Sequence, residues 1–277
     1  SGNAPSFGEG ARRTGRAVMN FVIGTFVFSF GLVFGSFLNV CIHRLPREAS
    51  IVRPGSHCPN CQKPIAWYDN IPLVSYILLG AKCRYCRSKI SIRYFLVELA
   101  SGAVWILLWR SYGFSPFFAV GVLLFSILLA VSVIDFETGL VPDRLTLPGL
   151  AAGFLVSGLF PALQGQGLWF KGFAASGLGI LAGGGSLWII AIAGDFIYRR
   201  ESMGGGDIKL MAMLGAFLGI KKVLLVLFVG PMVAMPCALY MKFFRKADTI
   251  PFGPFLAVAG GWLFIYGDLI AEYLFAF

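Results

Sequence analysis

Hydrophobic and polar positions along this chain separate into long blocks rather than short alternations. Apolar runs fall at about 21–41, 94–109, 117–134, 147–163, 168–194, 208–220, 223–241 and 253–275. Most approach the roughly 20 residues that carry an α-helix across a hydrocarbon core. They lack the two-residue alternation of a membrane barrel, and open strands would leave edge groups that lipid cannot satisfy. The pattern predicts an all-α polytopic membrane protein of about eight transmembrane helices. The run at 168–194 is longer than a crossing needs and is expected to tilt or to extend past the membrane. The run at 208–220 is short and rich in Gly and Met.

One polar block interrupts this series. Residues 43–93 carry nine Lys or Arg and five prolines interleaved with four cysteines, which predicts a small extramembrane domain between the first and second helices. Residues 1–18 are small, polar and Gly-rich and begin Ser-Gly. They read as a cleavage scar or a disordered arm and are set aside. The expected division is therefore an arm at 1–18, a first transmembrane helix at 19–42, a loop domain at 43–93, and about seven further helices at 94–277.

Composition agrees with the block pattern. Only 13% of the 277 residues are charged, against about 25% in a soluble domain, and the mean hydropathy is +0.79. A net charge of +10 would suggest nucleic acid in a soluble chain, but in a membrane protein it reports topology. With alternating sides, one face receives 43–93 and the loops near 135–146, 195–209 and 242–252. That face holds sixteen of the twenty Lys and Arg beyond residue 18, leaving Arg110, Lys171, Lys221 and Lys222 for the other. The basic face is expected to be cytoplasmic, both termini extracytoplasmic, and no nucleic-acid partner is expected.

Cys58-Pro-Asn-Cys61 and Cys83-Arg-Tyr-Cys86 form two C-x2-C pairs about twenty residues apart. Four thiolates in two close pairs suit tetrahedral structural zinc in a zinc-ribbon-like domain. Metal binding would also supply folding energy to a loop with few apolar residues. Two disulfides and rubredoxin-like iron are the alternatives, and a reducing cytoplasm disfavours the disulfides. Four cysteines close the coordination shell, so the metal is read as a scaffold and not as a Lewis acid.

The remaining chemistry lies in acids at the ends of apolar runs. Asp207 follows Gly204-Gly205-Gly206, and a carboxylate beside a membrane span is a functional hypothesis by default. Gly204 and Gly206 would let substrate backbone or an opposing helix come close to it. Asp135, Glu137 and Asp143 compete to be its partner. Asp135 lies deepest, Glu137 reads as a solvated loop acid, and Asp143 reads as a helix-start residue with Arg144 as a ready counter-ion. Two carboxylates sharing one proton suit peptide-bond hydrolysis, one acting on a water and the other polarising the carbonyl. Membrane-boundary caps remain an alternative, as does a proton-coupled transporter using Asp135 and Asp207.

The chain resembles the type IV prepilin peptidases, the bifunctional leader peptidase and N-methyltransferase enzymes of bacterial pilus and type II secretion systems. The resemblance spans about residue 19 to the C-terminus. It rests on Gly35-Ser-Phe-Leu-Asn39-Val, the paired C-x2-C array, Asn70-Ile-Pro72, Ser91-Ile-Arg93-Tyr94, Asp135 to Asp143, Gly204-Gly-Gly-Asp207-Ile-Lys209-Leu and Pro251-Phe-Gly253-Pro-Phe. Phe95 departs from it, standing where members often carry proline. The resemblance implies that Asp135 and Asp207 are the catalytic pair of a GxGD aspartyl protease in the bacterial inner membrane. It further implies cleavage of prepilin or pseudopilin leaders after a glycine at the cytoplasmic face. Methylation of the new N-terminus, usually Phe, would follow with S-adenosylmethionine as donor. Pilus or type II secretion assembly components are the implied partners besides the bilayer. No glycine fingerprint for a Rossmann pocket marks where the methyl donor binds. Glu98 is a candidate for holding the substrate amine, or alternatively a helix-packing acid paired with Arg93.

Overall fold

The computed structural model describes residues 7–199, 203–245 and 251–274. The long helices are α1 (Phe7–Arg44), α3 (Ile92–Tyr112), α4 (Pro116–Thr138), α5 (Asp143–Leu159), α6 (Trp169–Tyr198), α7 (Gly205–Tyr240) and α8 (Gly253–Leu274); α2 (Val74–Leu78) is a single short turn. Helix α1 already runs through residues 7–18 of the expected arm, whose Ala and Arg residues favour helix propagation. Residues 1–6 of that arm lie outside the described residues.

Among the described residues, six helices are long and apolar enough to cross a membrane, against the eight apolar runs of the sequence. Two facts account for the difference. Helix α5 has only 17 residues, and the runs at 208–220 and 223–241 both fall within α7, whose backbone breaks at Gly219 (φ 73°, ψ 177°). The chain reverses there. A Cβ at Gly183 would lie 2.4 Å from the Met211 carbonyl and 2.8 Å from the Val223 side chain. In a straight helix those two residues would stand about 18 Å apart. α7 is therefore two antiparallel legs, 205–218 and 220–240.

Such a reversal releases backbone carbonyls inside an apolar bundle, where each needs a donor. Polar side chains at the end of α5, in the following turn and in α6 meet that need. Gln164 Nε2 donates to the carbonyls of Ala216 (3.0 Å) and Phe217 (3.2 Å). The Ser157 and Ser176 hydroxyls donate to Ala216 O at 2.8 and 2.9 Å. Gly219 needs its positive φ, and its missing side chain leaves room for Gln164 Oε1. The short α5 and the short first leg of α7 thus end at one buried polar plug.

The chain groups into two compact units, Ser1–Asn39 with Gly55–Gly113, and Val40–Pro54 with Phe114–Phe277. In the first, α1 and α3 run antiparallel through small residues: Gly31 lies against Gly102, and Gly35 against Glu98 and Ser101. In the second, α7 packs on α5, α6 and α8, with Leu210, Met211, Met213 and Leu214 of its first leg fully buried. Lys222, one of the few basic residues expected on the sparse face, pairs with Asp268 at 2.6 Å.

Candidate active site and four-cysteine cluster

Within the second unit, the C-terminal end of α4 and the N-terminal ends of α5, α7 and α8 gather together. Asp135 lies in the last turn of α4 and is 5% exposed. The first N–H groups of any helix lack intrahelical partners, and α8 turns one of them on this carboxylate. Gly253 N–H donates to Asp135 Oδ2 at 2.9 Å. Only glycine allows the approach, because a Cβ at 253 would sit 2.7 Å from that oxygen.

Asp207 is the third residue of α7, after Gly204 at the cap. It is half-buried, and its N–H donates to Gly204 O at 3.1 Å. Its carboxylate lies within electrostatic reach of Asp135. The three glycines divide their work. Gly206 packs on Val141, which a Cβ would approach to 2.7 Å, whereas Gly204 and Gly205 are exposed and face open space beside Asp207.

Asp143 does begin α5, but its counter-ion is not the adjacent Arg144. Lys209 Nζ reaches both carboxylate oxygens at 2.7 Å, and Arg144 lies 3.7 Å from Glu48. The reason is helical phase. Lys209 sits two residues after Asp207 in the first turns of α7, where it bridges to the start of α5. Glu137 is exposed in the last turn of α4. Sequence reasoning gave no role to Gly253 or Lys209. Both residues lie in motifs that carry the family resemblance, but a motif in sequence does not show that Gly253 N–H reaches Asp135 or that Lys209 reaches Asp143.

The first unit brings the four cysteines together. Their sulfurs all lie within 4.8 Å of one another, with Cys58–Cys86 at 3.8 Å and Cys61–Cys83 at 4.0 Å. Zn–S bonds of about 2.3 Å in a tetrahedron imply sulfur separations of about 3.8 Å, so the donor set fits that ion. No two cysteines are joined as a disulfide. The two knuckles repeat one backbone pattern. Cys58 N–H donates to Lys63 O and Cys83 N–H to Ser88 O, while Gln62 N–H returns to Cys58 O and Arg87 N–H to Cys83 O. Gln62 and Arg87 both adopt positive φ, 58° and 59°.

Electrostatics within the cluster favour thiolates and oppose crowding them. The Ser88 hydroxyl and N–H, with the Asn60 amide, draw Cys86 down to about 5, and the Cys61 N–H lowers Cys58. For Cys61 the Lys63 N–H pulls downward, but burial and the neighbouring sulfurs outweigh it and push the thiol up to about 11. Several thiolates at this spacing call for a cation. Beside them Arg84 grips Asp69 through two hydrogen bonds, which holds that carboxyl below its ordinary value and ties residues 67–70 to the second knuckle.

Glu98 is 8% exposed on α3. Its Oε2 accepts the Leu73 N–H at 2.9 Å, and the Ser36 hydroxyl donates to the same carboxylate. Arg93, the partner considered for it, stacks on the Tyr94 ring with its guanidinium carbon 4.8 Å from the ring centre.

Comparison with known proteins follows the same two parts. A model of the bacterial peptidase A24 N-terminal domain matches residues 29–112, and one of the type IV leader peptidase family matches 122–239. A prepilin leader peptidase/N-methyltransferase of Neisseria gonorrhoeae is 35% identical over 87% of this chain and 89% of its own length. Proteins of the same description from Klebsiella pneumoniae (41% identical; 72% of this chain, 86% of that one) and Pseudomonas aeruginosa (37%; 87% and 90%) are similarly related. No solved structure matches significantly.

Proposed function

The chain belongs to the type IV leader peptidase family, and from that membership we propose a multi-pass membrane enzyme that cleaves prepilin leaders and methylates the new N-terminus. Asp135 and Asp207 are the catalytic pair. The observation that carries this reading is the union of a buried, hydrogen-bonded Asp135 with a half-exposed Asp207 at one gathering of helix ends. Asp135 Oδ2 already accepts the Gly253 N–H, so Asp135 enters as the carboxylate that draws a proton from water. Asp207 carries the shared proton and polarises the scissile carbonyl, with substrate backbone admitted beside Gly204 and Gly205. The water oxygen adds to the carbonyl carbon, and the amide nitrogen leaves with a proton returned by the pair.

The substrate is a prepilin or pseudopilin whose basic leader precedes a membrane-buried helix, cut after a glycine. The face that carries the pair is the cytoplasmic side of a bacterial inner membrane, because the basic loops map to it. The methyl donor is S-adenosylmethionine and the methylated residue is usually Phe. Cys58, Cys61, Cys83 and Cys86 hold a structural zinc that orders the loop between α1 and α3, and pilus or type II secretion components are assembly partners.

Incubation with a prepilin, with and without S-adenosylmethionine, read by intact-mass spectrometry, tests both activities at once. The expected result is loss of the leader, followed by a 14-Da gain only when donor is present. Asp135→Ala and Asp207→Ala are each expected to lower cleavage by about 10³-fold or more with the helical circular dichroism unchanged. Near wild-type cleavage by either variant would remove that residue from the chemistry.

A further inference from the structure

Where α1 crosses α3, the first unit holds a second polar cluster that peptide cleavage does not use. A Cβ at Gly35 would lie 2.8 Å from Glu98 Cα, so the two helices are nearly in backbone contact. This approach buries Asn39, which is 2% exposed, together with Glu98. Asn39 Nδ2 donates to the Tyr94 carbonyl at 3.0 Å. A carbonyl can only accept, so that bond sets the orientation of the amide. Asn39 Oδ1 is left buried with no hydrogen-bond partner.

Glu98 adds more acceptor capacity at the same crossing. An ionised carboxylate has about four acceptor sites, and the Leu73 N–H and Ser36 hydroxyl occupy two. Neither donor is a cation. Ser36 and Asn39 are three residues apart on α1, Tyr94 and Glu98 four apart on α3, so each pair lies within one turn, roughly 5–6 Å. Leu73 is itself unusual. Its φ of 58° and ψ of −47°, with Val74 N–H donating to Pro72 O at 2.6 Å, make a strained three-residue turn pinned by Glu98.

An unpartnered amide oxygen and a carboxylate with spare lone pairs match a ligand that brings donors. We propose that Asn39 Oδ1 and Glu98 seat the free N-terminal amine of the processed substrate for methyl transfer, an inference that rests on the N-methyltransferase reading above. A neutral primary amine has two N–H donors and one lone pair. Two acceptors engage both hydrogens and leave the lone pair free. That pair forms the new N–C bond as the methyl–sulfonium bond of the donor breaks, its electrons staying on sulfur. One N–H proton passes to the Glu98 carboxylate, and charge balances across the step.

The test uses the full chain with a prepilin and S-adenosylmethionine, comparing wild type with Asn39→Leu and Glu98→Gln by intact mass. Both variants are expected to cleave within two-fold of wild type and to methylate at least tenfold more slowly. With a pre-cleaved peptide bearing a free N-terminus, KM for the peptide should rise and KM for S-adenosylmethionine stay within two-fold. Methylation within two-fold of wild type in both variants overturns the proposal. A parallel loss of cleavage and methylation overturns it too, since that is what a packing role would give. An effect confined to one variant overturns the paired seat. Wild type that cleaves without methylating sinks the parent reading and this inference with it, whereas a methylating wild type with unaffected variants sinks this inference alone.

Discussion

Gly253 shows how much one missing side chain can carry. Its N–H is the hydrogen-bond donor to Asp135, and a Cβ at this position would lie 2.7 Å from the carboxylate oxygen that accepts it. Gly253→Ala must displace either the start of α8 or the carboxylate, and a displacement near 1 Å at a reacting group costs about 10² in rate. Leader cleavage should fall by that factor in kcat, with substrate KM little changed, as steady-state kinetics would reveal. The cysteines give a second prediction at this scale. In a brief alkylation pulse at the moment of chelation, before the loop loosens, the Cys86 thiol, drawn to about 5, should react with an inflection near that pH, and Cys61, near 11, should stay unreactive at neutrality. The sign for loop order follows. A depressed thiol contributes stability that is fully present above its ordinary value near 9 and is lost as pH falls through about 5. Mass-resolved alkylation across pH 4–9 checks both.

α7 departs most from the local pattern of its sequence. Two apolar runs with a weak point between them are visible in the sequence, but the nature of that weak point is not. Gly219 reverses the chain, and Gln164 supplies hydrogens to the freed carbonyls of Ala216 and Phe217. Gln164→Leu keeps the size and removes the donor. Ala216 O retains Ser157 and Ser176, but Phe217 O loses its Gln164 donor, and such a group costs about 1–3 kcal/mol. The apparent Tm in detergent should fall by about 3–8 °C. Ser176→Ala should do less, because Ala216 O keeps other donors. An unchanged melt for Gln164→Leu would show the plug to be energetically idle. The pairing of Lys209 with Asp143 is another element-scale fact, linking the first turns of α7 to the start of α5 across 66 residues.

Over the whole molecule, the four-cysteine cluster falls in the first of the two units, and among the described residues the second holds no such cluster. Purified protein should carry one zinc per chain by elemental analysis. Chelation should raise hydrogen exchange across residues 55–90, where few apolar side chains are buried, and leave α4 to α8 protected. Uniform deprotection of both units would contradict a metal requirement confined to the first. The proton-coupled transporter reading loses ground at this scale, because both carboxylates lie at helix ends and not at the middle of a span.

The sequence by itself determined the helical class, the apolar blocks and the two cysteine pairs, and it singled out Asp135 and Asp207 as the acids on which the proposed chemistry rests. Those features depend on local periodicity, residue chemistry and short spacing, which survive without knowledge of packing. Tertiary structure alone decided that Gly253 serves Asp135 from 118 residues away, that Lys209 and not Arg144 pairs with Asp143, that α7 turns back at Gly219, and that Asn39 Oδ1 is left unpaired at the crossing with α3. Each depends on the rotation and register of one helix against another. A shift of one residue in a helix turns a side chain by about 100°, and no periodicity in the chain encodes that angle between helices far apart in sequence.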